Sequence, residues 1–213
     1  MEIKEVAHIA IAIILFAFVI SFLQGINPFL FGLLIALAVL GVNILGKELM
    51  ASFLDLKIET RIWHLERWGW YDRSHFKKPV PTGVIIPFVL SILSWGFISA
   101  LTFLQIDTET TSARAAKRRG GAKRFTEITD WHNGAIPAMG IGANLIIAFL
   151  ILIFIKNIPL VTSIAKFSVY YTLWNLLPIG QLDGTKILFG SRLLWLFLLV
   201  VSLIFMLITA LLI

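Results

Sequence analysis

Apolar residues fall in long unbroken runs, at about 6–23, 28–46, 83–104, 135–156, 160–178 and 190–213. Each is long enough to cross a bilayer as a helix at about 1.5 Å per residue. The run 6–23 exceeds the apolar core of a signal peptide and has no small-residue cleavage pattern behind it, so it is expected to be the first membrane helix. The second helix is expected to continue to residue 54. GINP (25–28) and KNIP (156–159) are short connections that make antiparallel neighbours of the runs they join. Two polar stretches interrupt the pattern, 55–82 and 105–134. Within the first, KIETRI (57–62) alternates like a strand. The expected architecture is an all-α multi-pass membrane protein: one membrane domain over 1–213, with five to six membrane segments.

Composition agrees with the pattern. The 213 residues are 59% hydrophobic and 14% charged, with no cysteine, and mean hydropathy is +0.92. Disulfides and thiolate metal sites are thereby excluded. The net charge of +6 reads, in a membrane protein, as lysine and arginine gathered on the cytoplasmic side. That rule discriminates between two topologies. If 83–104 crosses the membrane, the basic residues divide almost evenly between the faces. If it enters and returns, all 18 Lys and Arg except Lys156 and Lys166 share one face. The second arrangement is expected, with 83–104 re-entrant, five crossings, and the N-terminus and basic loops cytoplasmic. Pro81, Pro87 and Ser94-Trp95-Gly96 offer places to bend.

Two charges sit inside this apolar frame. Lys47 follows Asn43 by four residues, so the two share a helix face, and Asp183 lies in NLLPIGQLDG. Three stretches, VNILGKELMASFLDLKIE, PAMGIGANLIIAFL (137–150) and NLLPIGQLDGTKIL (175–188), together resemble the site-2 proteases, zinc metalloproteases that cut substrates within the membrane. Gly46 and Ala51 match the first family motif. Gly140 and Asn144 match the second, where Ile141 replaces a proline, and Asn175, Pro178, Asp183 and Gly184 match the third. The resemblance implies a helix bundle in which the metal helix and the Asp-Gly helix run toward the cytoplasm. That also requires 83–104 to make no net crossing. It further implies that the strand at Lys57, Glu59 and Arg61 is an edge that aligns an extended peptide.

The departures bear on activity. The resemblance puts the family's first histidine on Asn43, its catalytic glutamate on Ile44 and its second histidine on Lys47, leaving Asp183 as the third ligand. Ile44 cannot activate water, an ammonium repels a metal, and one carboxylate with one amide is a poor zinc set. Shifting the register to Glu48 puts Lys47 and Ala51 at the ligand positions and fails. The reading is therefore a catalytically inactive relative, without cofactor or metal, in which Lys47 pairs with Asp183. Asn43, Asn144 and Asn175 complete the buried polar cluster. Its partners are the lipid bilayer and transmembrane segments of other proteins. Three alternatives stay open: an active protease with zinc on non-standard ligands, a transporter or small-molecule site around the Lys/Asp pair, and a structural case in which Lys47 snorkels and Asp183 caps a helix.

Other features are read more simply. His8, His64, His75 and His132 carry no ligand spacing, and Trp63, Trp68, Trp70 and Tyr71 suit a membrane-interface belt. The basic run 114–124 suits a solvated loop or anionic lipid headgroups. It lacks the aromatic interleaving of a nucleic-acid site, and no nucleic acid is expected.

Overall fold

A computed structural model describes residues 3–22, 26–67, 75–111, 128–155 and 158–212. Seven helices and four strands are described: α1 (Ile3–Ile20), α2 (Ile26–Phe53), β1 (Leu56–Ile62), β2 (Leu65–Arg67), β3 (His75–Val80), α3 (Thr82–Leu93), β4 (Leu104–Thr110), α4 (Asp130–Phe154), α5 (Pro159–Asn175), α6 (Asp183–Gly190) and α7 (Arg192–Leu212). Among the described residues α1, α2, α4 and α7 are long and apolar enough to cross a membrane. Their outer faces are apolar: Leu34, Leu37, Leu45, Phe149, Leu203 and Leu207 are exposed. A ring of exposed apolar side chains around a packed interior is what a helix bundle dissolved in lipid presents.

The run 160–178, expected as a further crossing, gives the shortest of the apolar-run helices apart from α3. It forms a helix of 17 residues ending at Asn175, and it is not among the apolar helices of membrane length. Thr162, Ser163, Lys166, Ser168 and Thr172 dilute its apolar character. Two of the hydroxyls turn back on the helix itself, Thr162 to Ile158 O at 2.9 Å and Ser163 to Pro159 O at 2.9 Å.

The fold is mostly helical, and beside the helices lie two small antiparallel sheets, β1–β4 and β2–β3. The strand-like stretch 57–62 is β1, extended by Leu56 and paired with β4 from Leu56↔Thr110 to Ile62↔Leu104. Residues 105–110 were expected to belong to a loop, and Leu104 to close the apolar run before it. They form a strand because they supply the partner that β1 lacks locally. Leu56 and Ile58 of β1, with Ile106 of β4, pack on Ala51 of α2 and Ile136 of α4.

The segment 83–104 is helical only to Leu93; it turns at Trp95 (φ 51°) and Gly96 (φ 79°) and comes back without regular secondary structure until β4. Its two ends meet at one residue. Gly83 N–H donates to Trp63 O at 2.8 Å, and Trp63 N–H donates to Phe103 O at 2.8 Å. The segment therefore leaves and re-joins the bundle at the same end. The inner part of its returning limb is enclosed: Phe97 and Ile98 are exposed, whereas Ala100, Leu101, Phe103 and Leu104 are buried, and Asn175 Nδ2 donates to Leu101 O at 3.0 Å. Irregular backbone with this much protein cover satisfies what a membrane interior demands.

The starts of α1 and α4 and the end of α2 gather at the sheet. Glu5 Oε1 accepts the Thr60 N–H at 3.1 Å, α2 runs into β1 with two residues between Phe53 and Leu56, and Thr108 of β4 donates to Asn133 of α4. The basic run 114–124 and Trp68, Trp70 and Tyr71 lie outside the described residues, as does the side chain of His75.

Gly83 is indispensable to this closure, because a Cβ there would collide with the carbonyl of Phe103 and lie 3.0 Å from Trp63 N. Gly83→Ala is expected to cost about 1–3 kcal/mol, the usual range for overpacking. Thermal unfolding in detergent measures it; Gly41→Ala, where a Cβ meets nothing within 4 Å, is the neutral control.

Candidate functional site

Helices α2, α4 and α5 pack against one another, and small residues set how closely. A Cβ on Gly46 of α2 would come within 3.0 Å of Ala143 Cβ on α4, and one on Gly140 within 2.8 Å of both Asn43 O and Lys47 Cγ. The Lys47 side chain therefore lies across the glycine surface of α4. At the other end of its reach is α6. The chain after Asn175 folds back through Gly180 (φ 58°), and the absence of a side chain at Gly184 lets α6 begin directly against the carbonyl of Leu176. Trp195 Nε1 donates to the same carbonyl at 2.9 Å. This turn aims Asp183, the first residue of α6, into the bundle.

Lys47 Nζ stands 2.6 Å from Asp183 Oδ2, with side-chain exposures of 2% and 0%. Neither snorkelling nor helix capping describes the two residues: the amine does not reach the surface, and neither Asp183 oxygen accepts a hydrogen bond from the backbone. The contact is electrostatic rather than an aligned hydrogen bond. An isolated carboxylate here would cost several kcal/mol, and the ammonium is the charge that offsets it.

The three asparagines divide. Asn175 Nδ2 donates to Leu101 O at 3.0 Å and to Tyr171 O at 2.8 Å, so it ties the returning limb of 83–104 to α5 rather than joining the ion pair. Asn43, one turn before Lys47, and Asn144, one turn after Gly140, are 1% and 0% exposed. Their amide atoms have no hydrogen-bond partner among the described residues. The expected hydrogen bond from Asn43 to the pair is therefore not formed. Ile44 is 7% exposed and packs with Leu40, Leu101 and Tyr171 in the apolar core, a setting with no means to activate water. Among the described residues no group of three or more His, Cys, Asp or Glu is placed to hold a metal ion. His64 contacts Glu66 at 3.2 Å, and His132 contacts Thr129.

The proposed peptide edge needs a change of register. Trp63 N–H is turned toward β4 and Thr60 N–H away from it. By the alternation of an antiparallel pair, Lys57, Glu59 and Arg61 give their main-chain groups to β4, and Leu56, Ile58, Thr60 and Ile62 give theirs to the open edge. The side chains of Glu59 and Arg61 instead form a surface ion cluster, Arg61 Nη2 to Glu59 Oε2 at 2.7 Å and Nη1 to Asp107 Oδ2 at 3.4 Å. That hydrogen bond from Arg61 holds the Glu59 carboxyl below its ordinary pKa.

Two residues that sequence reasoning missed cap the sheet. Thr60 and Ile106 are cross-strand partners. Glu5 takes the outward N–H of Thr60, and Lys186 Nζ donates to the carbonyl of Ile106. One rung of the sheet thus carries a charged side chain at each end, a device that blunts both edges. The only signal for Glu5 was a carboxylate in the first turn of an apolar helix. Comparison of the chain with family models, curated proteins and solved structures gives no match.

Removing one member of a buried pair strands the other charge. Lys47→Met is expected to destabilise by about 3–5 kcal/mol, and Lys47→Met with Asp183→Leu to recover most of that loss. Unfolding of the two single variants and the double in detergent measures the coupling; additive effects would show that the two charges act independently.

Proposed function

We propose that the chain is a catalytically inactive, site-2-protease-like membrane protein that binds or retains segments of other membrane proteins. The observation that carries the reading is the Lys47–Asp183 contact. The ligand-bearing positions implied by the resemblance, Asn43, Lys47 and Asp183, lie on facing elements, and an amine occupies the space a dication would need. The water-activating position is Ile44, enclosed in apolar side chains. The residues present do not fit zinc, which takes four ligands drawn from Cys, His and carboxylates.

In this reading α1, α2, α4 and α7 cross the bilayer, α5 completes the interior as a fifth, shorter crossing, and 83–104 is re-entrant from the cytoplasmic face. The basic loops and the N-terminus are cytoplasmic. Supporting it, both ends of 83–104 join at Trp63, on the same end of the bundle as Lys57 and Lys186. Client segments would approach the open edge of β1, where Ile58 keeps outward main-chain groups while Thr60 is covered by Glu5 and Ile62 O lies 3.4 Å from His64 Nδ1. An incoming extended segment would add as a strand there, displacing Glu5.

Purified protein is expected to carry zinc far below one ion per chain and to leave membrane-peptide substrates uncut. Stoichiometric zinc with cleavage would establish the active protease and end this reading. The combined change Asn43→His, Ile44→Glu and Lys47→His, which restores the family's ligands beside Asp183, is expected to bind about one zinc per chain. Metal analysis before and after dialysis measures it, and failure to bind would remove the metal-site ancestry of the pair. A photo-crosslinker at Lys57 in intact membranes is expected to capture a membrane-protein segment; capture of lipid alone would contradict the client-binding role.

A further inference from the structure

Away from the ion pair and the sheet, one charge stands in the opposite half of the molecule. Lys166 lies on α5, two turns after Pro159 at its start, or about 10 Å along the helix axis. That start is at the end remote from the sheet. Helix α4 leaves the sheet and α5 returns beside it, so that Ile151 and Leu152 near the end of α4 meet Ala165 of α5. The inner faces of α5 are occupied. Phe167 and Tyr171 pack on Phe16 of α1 at ring separations of 6.3 and 6.1 Å, and Ala165 and Val169 pack with α4 and with Phe205 and Met206 of α7. Lys166 falls on the remaining, outward face, one turn after Ser163, and both are half-buried. Ser163 gives its hydroxyl to its own helix, at Pro159 O.

We propose that the outward face of α5 docks a transmembrane helix of another protein, one that carries an aspartate or glutamate level with Lys166. Charge complementarity selects that partner. Among the described residues Lys166 makes no ion pair. The described carboxylates gather toward the sheet end, and Asp183 is spent on Lys47. An ammonium in the apolar zone is costly without a counter-charge, and such residues pair where they can. Depth rules out a lipid headgroup as the counter-charge. The 17 residues of α5 span about 25 Å, less than a hydrocarbon core of about 30 Å, so its start does not project beyond that core. A four-carbon stem covers only part of the distance from Lys166 back to that start. A carboxylate near the middle of a neighbouring apolar helix meets the amine where it stands. This surface is separate from the β1 edge; it rests on the placement of α5 across the bilayer and not on the inactive-protease reading.

The test is energy transfer in phosphatidylcholine vesicles between the full chain and synthetic transmembrane helices. The chain has no cysteine, so Leu211→Cys, at an 85% exposed position near the end of α7, carries a single donor fluorophore. The acceptors are leucine-rich peptides of about 20 residues with glutamate, leucine or lysine at the centre. The glutamate peptide is expected to associate saturably, and the other two to need about tenfold more peptide for half-saturation, the difference made by one charge-assisted hydrogen bond. Lys166→Leu is expected to lower the glutamate peptide to the level of the leucine peptide, and Lys166→Arg to keep the preference. Lys166→Glu is expected to reverse it in favour of the lysine peptide. Equal association of the leucine and glutamate peptides would make the face a purely apolar one. Loss of the glutamate preference when phosphatidylglycerol is added to the vesicles would reassign the amine to lipid headgroups; either result overturns the proposal. An unchanged preference in Lys166→Leu, or no reversal in Lys166→Glu, would also overturn it. None of these outcomes touches the β1 edge or the Lys47–Asp183 pair.

Discussion

A carboxylate with no exposure inside a bundle of apolar helices needs a compensating positive charge, and much of the interior is arranged to supply one. Asp183 is delivered by a tight reversal that only Gly184 permits, and Lys47 reaches it by lying along the bare backbone of Gly140. The glycines are therefore electrostatic devices as much as packing ones. A methyl group at Gly140 would occupy the path of the lysine stem. The pair fixes α2, α4 and α6 in mutual register without needing to add net stability, since desolvation consumes most of what attraction returns.

The same end of the molecule solves a second problem, that of unsatisfied main chain. A two-stranded sheet has two open edges, and here a single rung, Thr60–Ile106, is closed by Glu5 on one side and Lys186 on the other. The segment 83–104 is treated alike, with carbonyls of its returning limb taken by Asn175 and Trp63. Opposite charges at the sheet and an ion pair in the bundle place almost all the polar chemistry at one end, and the lipid-facing helices extend away from it.

Much of this was legible in the residues. Long apolar runs located α1, α2, α4 and α7 within a few positions, and the imbalance of Lys and Arg led to the expectation that both ends of 83–104 share a face. Lys47 and Asp183 stood out because charges are rare in such runs. What stayed hidden depends on contacts distant in sequence. LQIDTET reads as loop until β1 is known to lie beside it, and Glu5 reads as an ordinary first-turn carboxylate until Thr60 arrives. The polar side chains of α5 shortened a run that hydropathy alone treats as a full crossing. Asn175 was grouped with the ion pair because it shares a motif with Asp183, yet its amide serves the backbone of Leu101 instead.

The central claim is that an ammonium on α2 neutralises a carboxylate on α6 in direct contact. Solid-state NMR of the protein in lipid bilayers, with the lysine Nζ labelled with ¹⁵N and the aspartate carboxyl with ¹³C, reads that contact directly. The account predicts strong dipolar coupling between Lys47 Nζ and Asp183 Cγ, with the amine shift of a protonated lysine. Absence of that coupling, or a Lys47 signal that exchanges freely with water, would contradict it.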